Sequence, residues 1–346
     1  MPVNIGMARL SDHFLLVTVV IYSLAMLAYA GELAYGRRRA KATATQREPA
    51  LAVAAVGSAR SRPDGPGRAL RDGPGRAGPG GTVREGQAAE IARPAGPWIR
   101  AALALTAAGL ATHGLGIVTR GLAAHRVPWG NMYEFVTAIT CGAVMVFLAL
   151  ALRYRAYFLG LFVMIPVVLG LGLCATVLYT AAGPLMPALH SYWIAIHVTA
   201  AAVSSGIFIV AATATVMYLF ADRHARQVVA GAGGGGIMRR LPKPEVLDRL
   251  AYRTVVFGFP IWTFAIIAGA IWADQAWGRY WGWDPKETWA FITWVAYAGF
   301  LHARATAGWR GRKAAYIQLA AFGCLMFNLV GVNIWVAGLH SYAGVS

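Results

Sequence analysis

The chain has 346 residues, of which 58% are hydrophobic and only 13% are charged. Soluble domains carry about a quarter charged residues, so this composition excludes an ordinary soluble protein and indicates an integral membrane protein. The formal net charge of +17 could suggest a nucleic-acid-binding protein. The basic residues lie in loops between long apolar runs, however, so we exclude nucleic acid as a partner.

Eight apolar segments approach the roughly 20 residues that a helix needs to cross a bilayer. The first run, 14–34, is too long for the apolar part of a signal peptide, so we expect a membrane helix there. The sequence therefore predicts an all-α polytopic membrane protein with about eight transmembrane helices. The predicted spans are 13–35, 98–119, 132–152, 156–180, 193–220, 253–274, 289–305 and 314–338, of which the seventh is the shortest.

Lys and Arg are distributed unevenly between the two sides that these spans create. One side receives 26 of the 31, in 36–97 with Arg100, and in 153–155, 221–253 and 304–313. Because basic loops stay in the cytoplasm, we expect both termini and the loop before the seventh span to face outward. The five basic residues on that outer side are Arg9, Arg120, Arg126, Arg279 and Lys286.

Composition divides the chain into three parts. Residues 1–36 hold the first transmembrane helix, and 37–95 are rich in Pro, Gly, Arg and Ala, with too little bulky apolar surface to fold. We expect 37–95 to be a disordered cytoplasmic linker. Residues 96–346 form a membrane domain with helices two to eight, interrupted by a flexible cytoplasmic loop at 221–252.

The segment 277–289 reads WGRYWGWDPKETW and concentrates aromatic rings in a predicted outer loop. Tryptophan and tyrosine also gather at membrane interfaces, and such a belt would account for some of them. We favour a ligand-binding platform, because the rings sit in the loop itself and the glycines between them would let the backbone approach a ligand. The platform residues are Trp277, Tyr280, Trp281 and Trp283, while Trp272, Trp289 and Trp294 fit a belt.

Three carboxylates stand at predicted helix starts. Asp284 and Glu287 could be a pair for acid–base chemistry, but D-P-K-E is also the pattern of a capping box, which we favour. Glu134 could pair with Arg120 or Arg126, or cap its own helix.

Three of the eight histidines lie where chemistry is plausible, since ionisable groups in a membrane are costly and mark functional sites. His197 is about one turn inside the outer end of the fifth span, and His340 follows the last span on the same side. His302 lies toward the cytoplasmic end of the seventh span. The alternative is that these are hydrogen-bonded interfacial histidines.

Two imidazoles beside flat aromatic rings make an environment that suits heme, because neutral imidazole is a good axial ligand and the macrocycle is apolar. Outer cations could then meet the propionates. These cations are Arg120, Arg126, Arg279 and Lys286. Cys141, Cys174 and Cys324 lack C-x-x-C spacing and are expected to be small apolar packing residues.

Several segments carry a family resemblance. WGRYWGWDPKETWAFITW resembles the tryptophan-rich WWD signature of the heme-handling proteins of cytochrome c maturation, here spanning 272–294. RVPWGNMYEF resembles their P-x-x-N-x-Y-E segment, SYWIAIHV their S-x-W-L-x-x-H-V segment, and GLHSY their closing histidine. The chain most resembles the System II members of CcsA or ResC type.

This resemblance implies a set of heme contacts. The WWD segment would bind heme b non-covalently on the outer face, and His197 and His340 would be the axial ligands of the iron. His302 matches a histidine of a heme site within the membrane, for which His113 is a possible second residue. His190, close to His197, is an alternative outer ligand. The remaining expected contacts are Trp277, Arg279, Tyr280, Trp281, Trp283, Asp284 and Lys286.

The resemblance also implies an activity in the bacterial cytoplasmic membrane. With a CcsB- or ResB-type membrane protein, the chain would deliver heme for thioether attachment to the C-x-x-C-H motif of apocytochrome c, with a thiol-reducing protein also involved. Holocytochrome c synthase activity is expected only with that partner. The alternatives are a membrane heme-b electron carrier, and a heme transporter or assembly scaffold without covalent chemistry.

Overall fold

The computed structural model describes residues 2–58, 96–184, 189–232 and 237–340, except for the side chains of 36–58 and 237. Within these ranges the chain is helical and contains no strand. Residues 59–95, the larger part of the predicted linker, lie outside the described residues. The first helix continues to Ser58, past the predicted start of that linker.

Eight long helices make up the described part of the chain. They are α1 Ile5–Ser58, α2 Pro97–Ala124, α3 Met132–Tyr154, α4 Gly160–Thr176, α5 Tyr192–Val229, α6 Pro244–Trp277, α7 Pro285–Ala305 and α8 Arg312–Met326. A π-helical stretch, Phe327–Gly331, joins α8 to a short last helix, Val332–Trp335. Short 3-10 turns occur at Tyr157–Leu159 and Ile237–Arg240.

Seven of the helical segments described are long and apolar enough to cross a membrane, which confirms the predicted all-α polytopic architecture. The seventh predicted span, 289–305, forms α7 but does not belong to this set. Its tryptophans, threonines and terminal charged residues lower its mean hydropathy. The seven segments are Ile5–Tyr35, Pro97–Ala124, Met132–Tyr154, Tyr157–Thr176, Tyr192–Val229, Pro244–Trp277 and Arg312–Trp335.

The predicted loop 221–252 is largely helical in the structure. The fifth helix continues to Val229, and the sixth already begins at Pro244, with the proline in its first turn. Proline is favoured there because the first turn of a helix does not use its backbone N–H. Both helices therefore project beyond the apolar runs from which their ends were predicted.

Helix α5 is central, because it packs against α3, α4, α6 and α8. Its crossing with α3 uses small residues: a Cβ added at Gly206 would lie only 2.6 Å from the backbone nitrogen of Ala143. Gly142 faces the backbone of Ala202 in the same crossing. Small residues let membrane helices approach closely, and this contact fixes the position of α5 relative to α3.

We predict that Gly206→Ala destabilises the protein, because the new methyl group would overlap the backbone of α3. Overpacking of this kind costs about 1–3 kcal/mol. Gly299→Ala in α7 is the matched control, since a Cβ there meets nothing within 4 Å. The measurement is the thermal unfolding midpoint of each variant in detergent. Equal midpoints for the two variants would show that the close crossing is not needed.

Candidate functional site

A cavity opens at the end of the bundle where α3 and α5 begin and α6 ends. It encloses about 1180 Å³, counting the space at its open mouth. Its wall is mostly apolar and aromatic. Of the predicted site residues, the wall contains His197, His340, Trp277, Tyr280, Trp281 and Lys286.

His197 reaches the cavity from α5 and is held in one orientation. Its Nδ1 lies 2.8 Å from the carbonyl oxygen of Ala265 on α6. A carbonyl can only accept, so Nδ1 carries the hydrogen and Nε2 carries the lone pair. The ring is parallel to the indole of Trp272, with centroids 6.1 Å apart. Gly269 provides the space, since a Cβ there would lie 2.7 Å from the imidazole.

His340 reaches the same cavity from beyond the last helix. Its Nδ1 lies 2.7 Å from Oδ2 of Asp284. Its ring meets the indoles of Trp272 and Trp277 edge to face, at centroid distances of 5.8 and 5.1 Å. The two histidines therefore contact the same tryptophan, Trp272, from different directions.

Asp284 has two roles. It is the N-cap of α7 in a complete capping box with Glu287, which confirms the capping interpretation. Its oxygens also accept hydrogen bonds from the backbone of Leu339, at 2.6 Å, and from His340. Burial raises the pKa of Asp284, but the hydrogen bonds from His340, Leu339 and Lys286 lower it more, and the net shift is downward. The carboxylate is therefore ionised at neutral pH.

The two glycines of the tryptophan-rich segment are needed for the shape of the loop, and not for the predicted close approach of the backbone to a ligand. Gly278 ends α6 in the left-handed conformation, with φ of 69°. A Cβ at Gly282 would overlap the guanidinium of Arg279, which packs over the Trp277 ring at 6.0 Å. Both glycines shape the loop, and neither brings its backbone to the cavity wall.

The remaining predicted site residues are divided between the cavity wall and its surroundings. Lys286 is on the wall and donates to the carbonyl oxygen of Asn328 at 2.8 Å. Arg279 is not on the wall, and its Nη1 lies 3.8 Å from a carboxylate oxygen of Glu287. Trp283 is not on the wall: it is 67% exposed and has a positive φ of 59°, which is rare for a bulky residue.

Comparison with known proteins identifies the family of this chain. The sequence profile of the family described as "Cytochrome C assembly protein" matches residues 129–340. The chain belongs to this family. The matched range begins at Trp129 and ends at His340, and both of these residues line the cavity.

Individual relatives place the chain among the CcsA-type members, which confirms the predicted resemblance. It is similar to "Cytochrome c biogenesis protein CcsA" of Guillardia theta, with 37% identity over 244 residues that cover 65% of this chain and 79% of that protein. The protein of the same name from Gloeothece citriformis is 32% identical over 297 residues, which cover 72% of this chain and 89% of that one.

A solved structure shares the fold. "Cytochrome c Heme Lyase CcmF" superposes with a TM-score of 0.58 at 13% sequence identity, over 95% of this chain and 47% of that one. The chain thus spans about half the length of that protein. At this identity the likeness concerns the arrangement of helices only.

Three other histidines named from the sequence lie outside this cavity: His302 and His113, expected at a membrane site, and His190, the alternative outer ligand. His302 is exposed near the other end of α7, roughly 25 Å along the helix axis from the capped start. His190 is also exposed and does not line the cavity. His113 is buried elsewhere, with Nδ1 3.4 Å from the hydroxyl of Tyr22.

Arg120 and Arg126 were expected to be available to a ligand, and this expectation was wrong. Both pair with Glu134, at 3.1 and 2.9 Å, in a largely buried cluster between α2 and α3. They also donate to the carbonyl oxygens of Thr180 and Gly183. The two ion pairs connect the end of α2 to the start of α3. The predicted pairing of Glu134 with Arg120 or Arg126 is therefore confirmed, and it involves both arginines.

Trp272 is the cavity residue that the sequence analysis assigned to a different position. It was expected to belong to an interfacial belt, but it is only 2% exposed and contacts the rings of both histidines. Ala265, Gly269 and Trp272 follow each other at helical spacing on one face of α6. This spacing is visible in the sequence. It indicates a contact with His197 only once the structure shows that His197 faces this side of α6.

We predict that Glu134→Gln lowers stability by about 3–5 kcal/mol, because two buried arginines would lose their counter-charge. The control is Asp222→Asn, which removes the carboxylate of a more exposed pair with Arg226 and should cost less than about 1 kcal/mol. Unfolding midpoints of the purified variants measure both effects. Similar small losses would contradict a structural role for the buried cluster.

Proposed function

We propose that this chain binds heme in the aromatic cavity and presents it for covalent attachment to apocytochrome c. The observation that carries the proposal is the pair of imidazoles, His197 on α5 and His340 beyond the last helix, which both contact Trp272. Each has its Nδ1 engaged by an oxygen acceptor, so Nε2 would be the ligand atom in both. An acceptor on the second ring nitrogen is the usual way to orient a ligating histidine.

The wall of the cavity suits a large flat apolar substrate. Trp277, Tyr280 and Trp281 provide ring surface, and the alanine- and glycine-rich face of α6 provides space. Lys286 stands on the wall. Arg279 lies off the wall, and its Nη1 is 3.8 Å from Oε2 of Glu287, a longer contact than those that Arg120 and Arg126 make with Glu134. We propose that Lys286 and Arg279 meet the propionates, in place of Arg120 and Arg126, which Glu134 holds more closely.

The relatives support a role in the same process, since the similar proteins are named for cytochrome c biogenesis and a protein of the same fold is named a heme lyase. Heme b supplies the vinyl groups, to which the two thiols of a C-x-x-C-H motif add. In each addition a carbon–sulfur bond forms and the thiol hydrogen ends on the other vinyl carbon. The chain's own part is to orient the ring and exclude water, which needs no acid–base set.

The remaining parts of the proposal concern partners and sidedness. The cavity would face the outer side of the bacterial cytoplasmic membrane, as the distribution of basic loops indicates. A CcsB- or ResB-type protein would complete the synthase, and a thiol-reducing protein would keep the apocytochrome thiols reduced. His302, exposed at the other end of α7, would contribute to a separate membrane heme site together with that partner.

We predict that replacing both His197 and His340 by Ala removes the Soret absorbance of the protein purified from a heme-replete host. The reason is that both proposed axial ligands are lost. His190→Ala is the control, because this exposed histidine lies outside the cavity, and it should leave the spectrum unchanged. A double variant with the wild-type spectrum would overturn the proposed site.

The covalent step is tested by coexpression with a reporter that carries one C-x-x-C-H motif. Covalent heme on the reporter should require this chain, its two cavity histidines and a CcsB-type partner. Attachment without this chain when heme is supplied outside would favour a transporter, and reversible redox turnover with a quinone would favour an electron carrier.

A further inference from the structure

A second and larger cavity lies at the opposite end of the bundle. It is bounded by the part of α1 near Tyr29, the C-terminal end of α3, and the N-terminal ends of α4 and α6. Its volume is about 3110 Å³, counting the space open to the surroundings. None of the proposed heme contacts lines it, so it is a separate site.

The rim of this cavity is strongly basic. Six cationic side chains line it, against the carboxylates of Glu32 and Glu245, so the rim carries a net positive charge. Arg240 has a buried Nη1 atom without a hydrogen-bond partner among the described residues. The six basic residues are Arg153, Arg155, Arg240, Lys243, Arg249 and Arg253.

Below the rim the cavity is apolar. Side chains from four helices form this part, including Val146, Leu161, Ile207 and Phe257. Phe257 is 66% exposed on α6, within a segment that is long and apolar enough to span the membrane. The cavity therefore combines a cationic rim near helix ends with an apolar lower part on helices that are long and apolar enough to cross a membrane.

We propose that this cavity binds an anionic phospholipid, with the phosphate at the basic rim and the acyl chains against the apolar wall. Basic pockets between helices on the cytoplasmic side favour anionic head groups. Burial of acyl chains against apolar side chains adds a hydrophobic contribution in proportion to the area covered. The lipid would fill the gap between α6 and the helices α1, α3 and α4.

Two other occupants fit less well. The residues described along this cavity include no histidine, cysteine or methionine, so it lacks the common axial ligands of heme iron. The chain segment 37–95 carries twelve Lys and Arg against five Asp and Glu, so its charge has the same sign as the rim. A phosphodiester with apolar chains complements both parts of the cavity.

The test is the binding of acyl-chain-labelled phosphatidylglycerol to the full-length protein in neutral detergent, followed by fluorescence anisotropy. We expect saturable binding that labelled phosphatidylcholine does not show, and no competition from inorganic phosphate, which lacks the chains. The variant Arg153→Gln/Arg240→Gln/Arg249→Gln should weaken binding about 100-fold, if each of the three basic residues contributes about fivefold near an anionic head group.

The matched control removes three basic residues outside the cavity: Arg310→Gln/Arg312→Gln/Lys313→Gln. It should bind as the wild type does, and gel filtration with unfolding midpoints checks that both variants are folded. Equal weakening in the two variants would show a general surface attraction and overturn the site. Equal binding of phosphatidylglycerol and phosphatidylcholine by the wild type would also overturn the site. Displacement of the labelled lipid by hemin would show that heme, and not a phospholipid, is the ligand of this cavity.

Discussion

The carboxylate of Asp284 is the interaction on which the candidate site depends most. It joins two parts of the chain that are distant in sequence: the start of α7, within the tryptophan-rich segment, and the residues after the last helix. One oxygen accepts from the backbone of Leu339, and the other accepts from the ring of His340 and from the α7 backbone. Without this carboxylate, the capped helix start and the closing histidine would have no common anchor.

The rest of the bundle provides the opposite wall. The close glycine crossing sets α5 against α3, and the carbonyl oxygen of Ala265 then orients His197 from α6. Trp272 contacts both imidazoles, so a change at either histidine alters the surroundings of the same indole. The site is thus made of rigid helical elements on one side and a capped loop on the other, which is a suitable arrangement for positioning a substrate.

The sequence predicted those features that depend on local patterns. Apolar runs predicted the helices, and D-P-K-E predicted the start of α7, because capping involves residues only a few positions apart. The resemblance predicted the histidine pair, and the structure places both on one cavity. Charge alone could not show that Arg120 and Arg126 are already paired, because their partner Glu134 and the carbonyl groups of Thr180 and Gly183 depend on tertiary packing. For the same reason the contact between Asp284 and His340, 56 residues apart, had no local signal.

A double-mutant cycle on heme affinity tests most directly whether Asp284 acts through His340. Heme is titrated into the heme-free wild type, Asp284→Asn, His340→Ala and the double variant, and Asn is chosen because it remains a good N-cap. Loss of an orienting partner should weaken binding about 10- to 100-fold, and the double variant should bind no more weakly than His340→Ala alone. If the two losses multiplied in the double variant, Asp284 would act independently of His340, and the account would be contradicted.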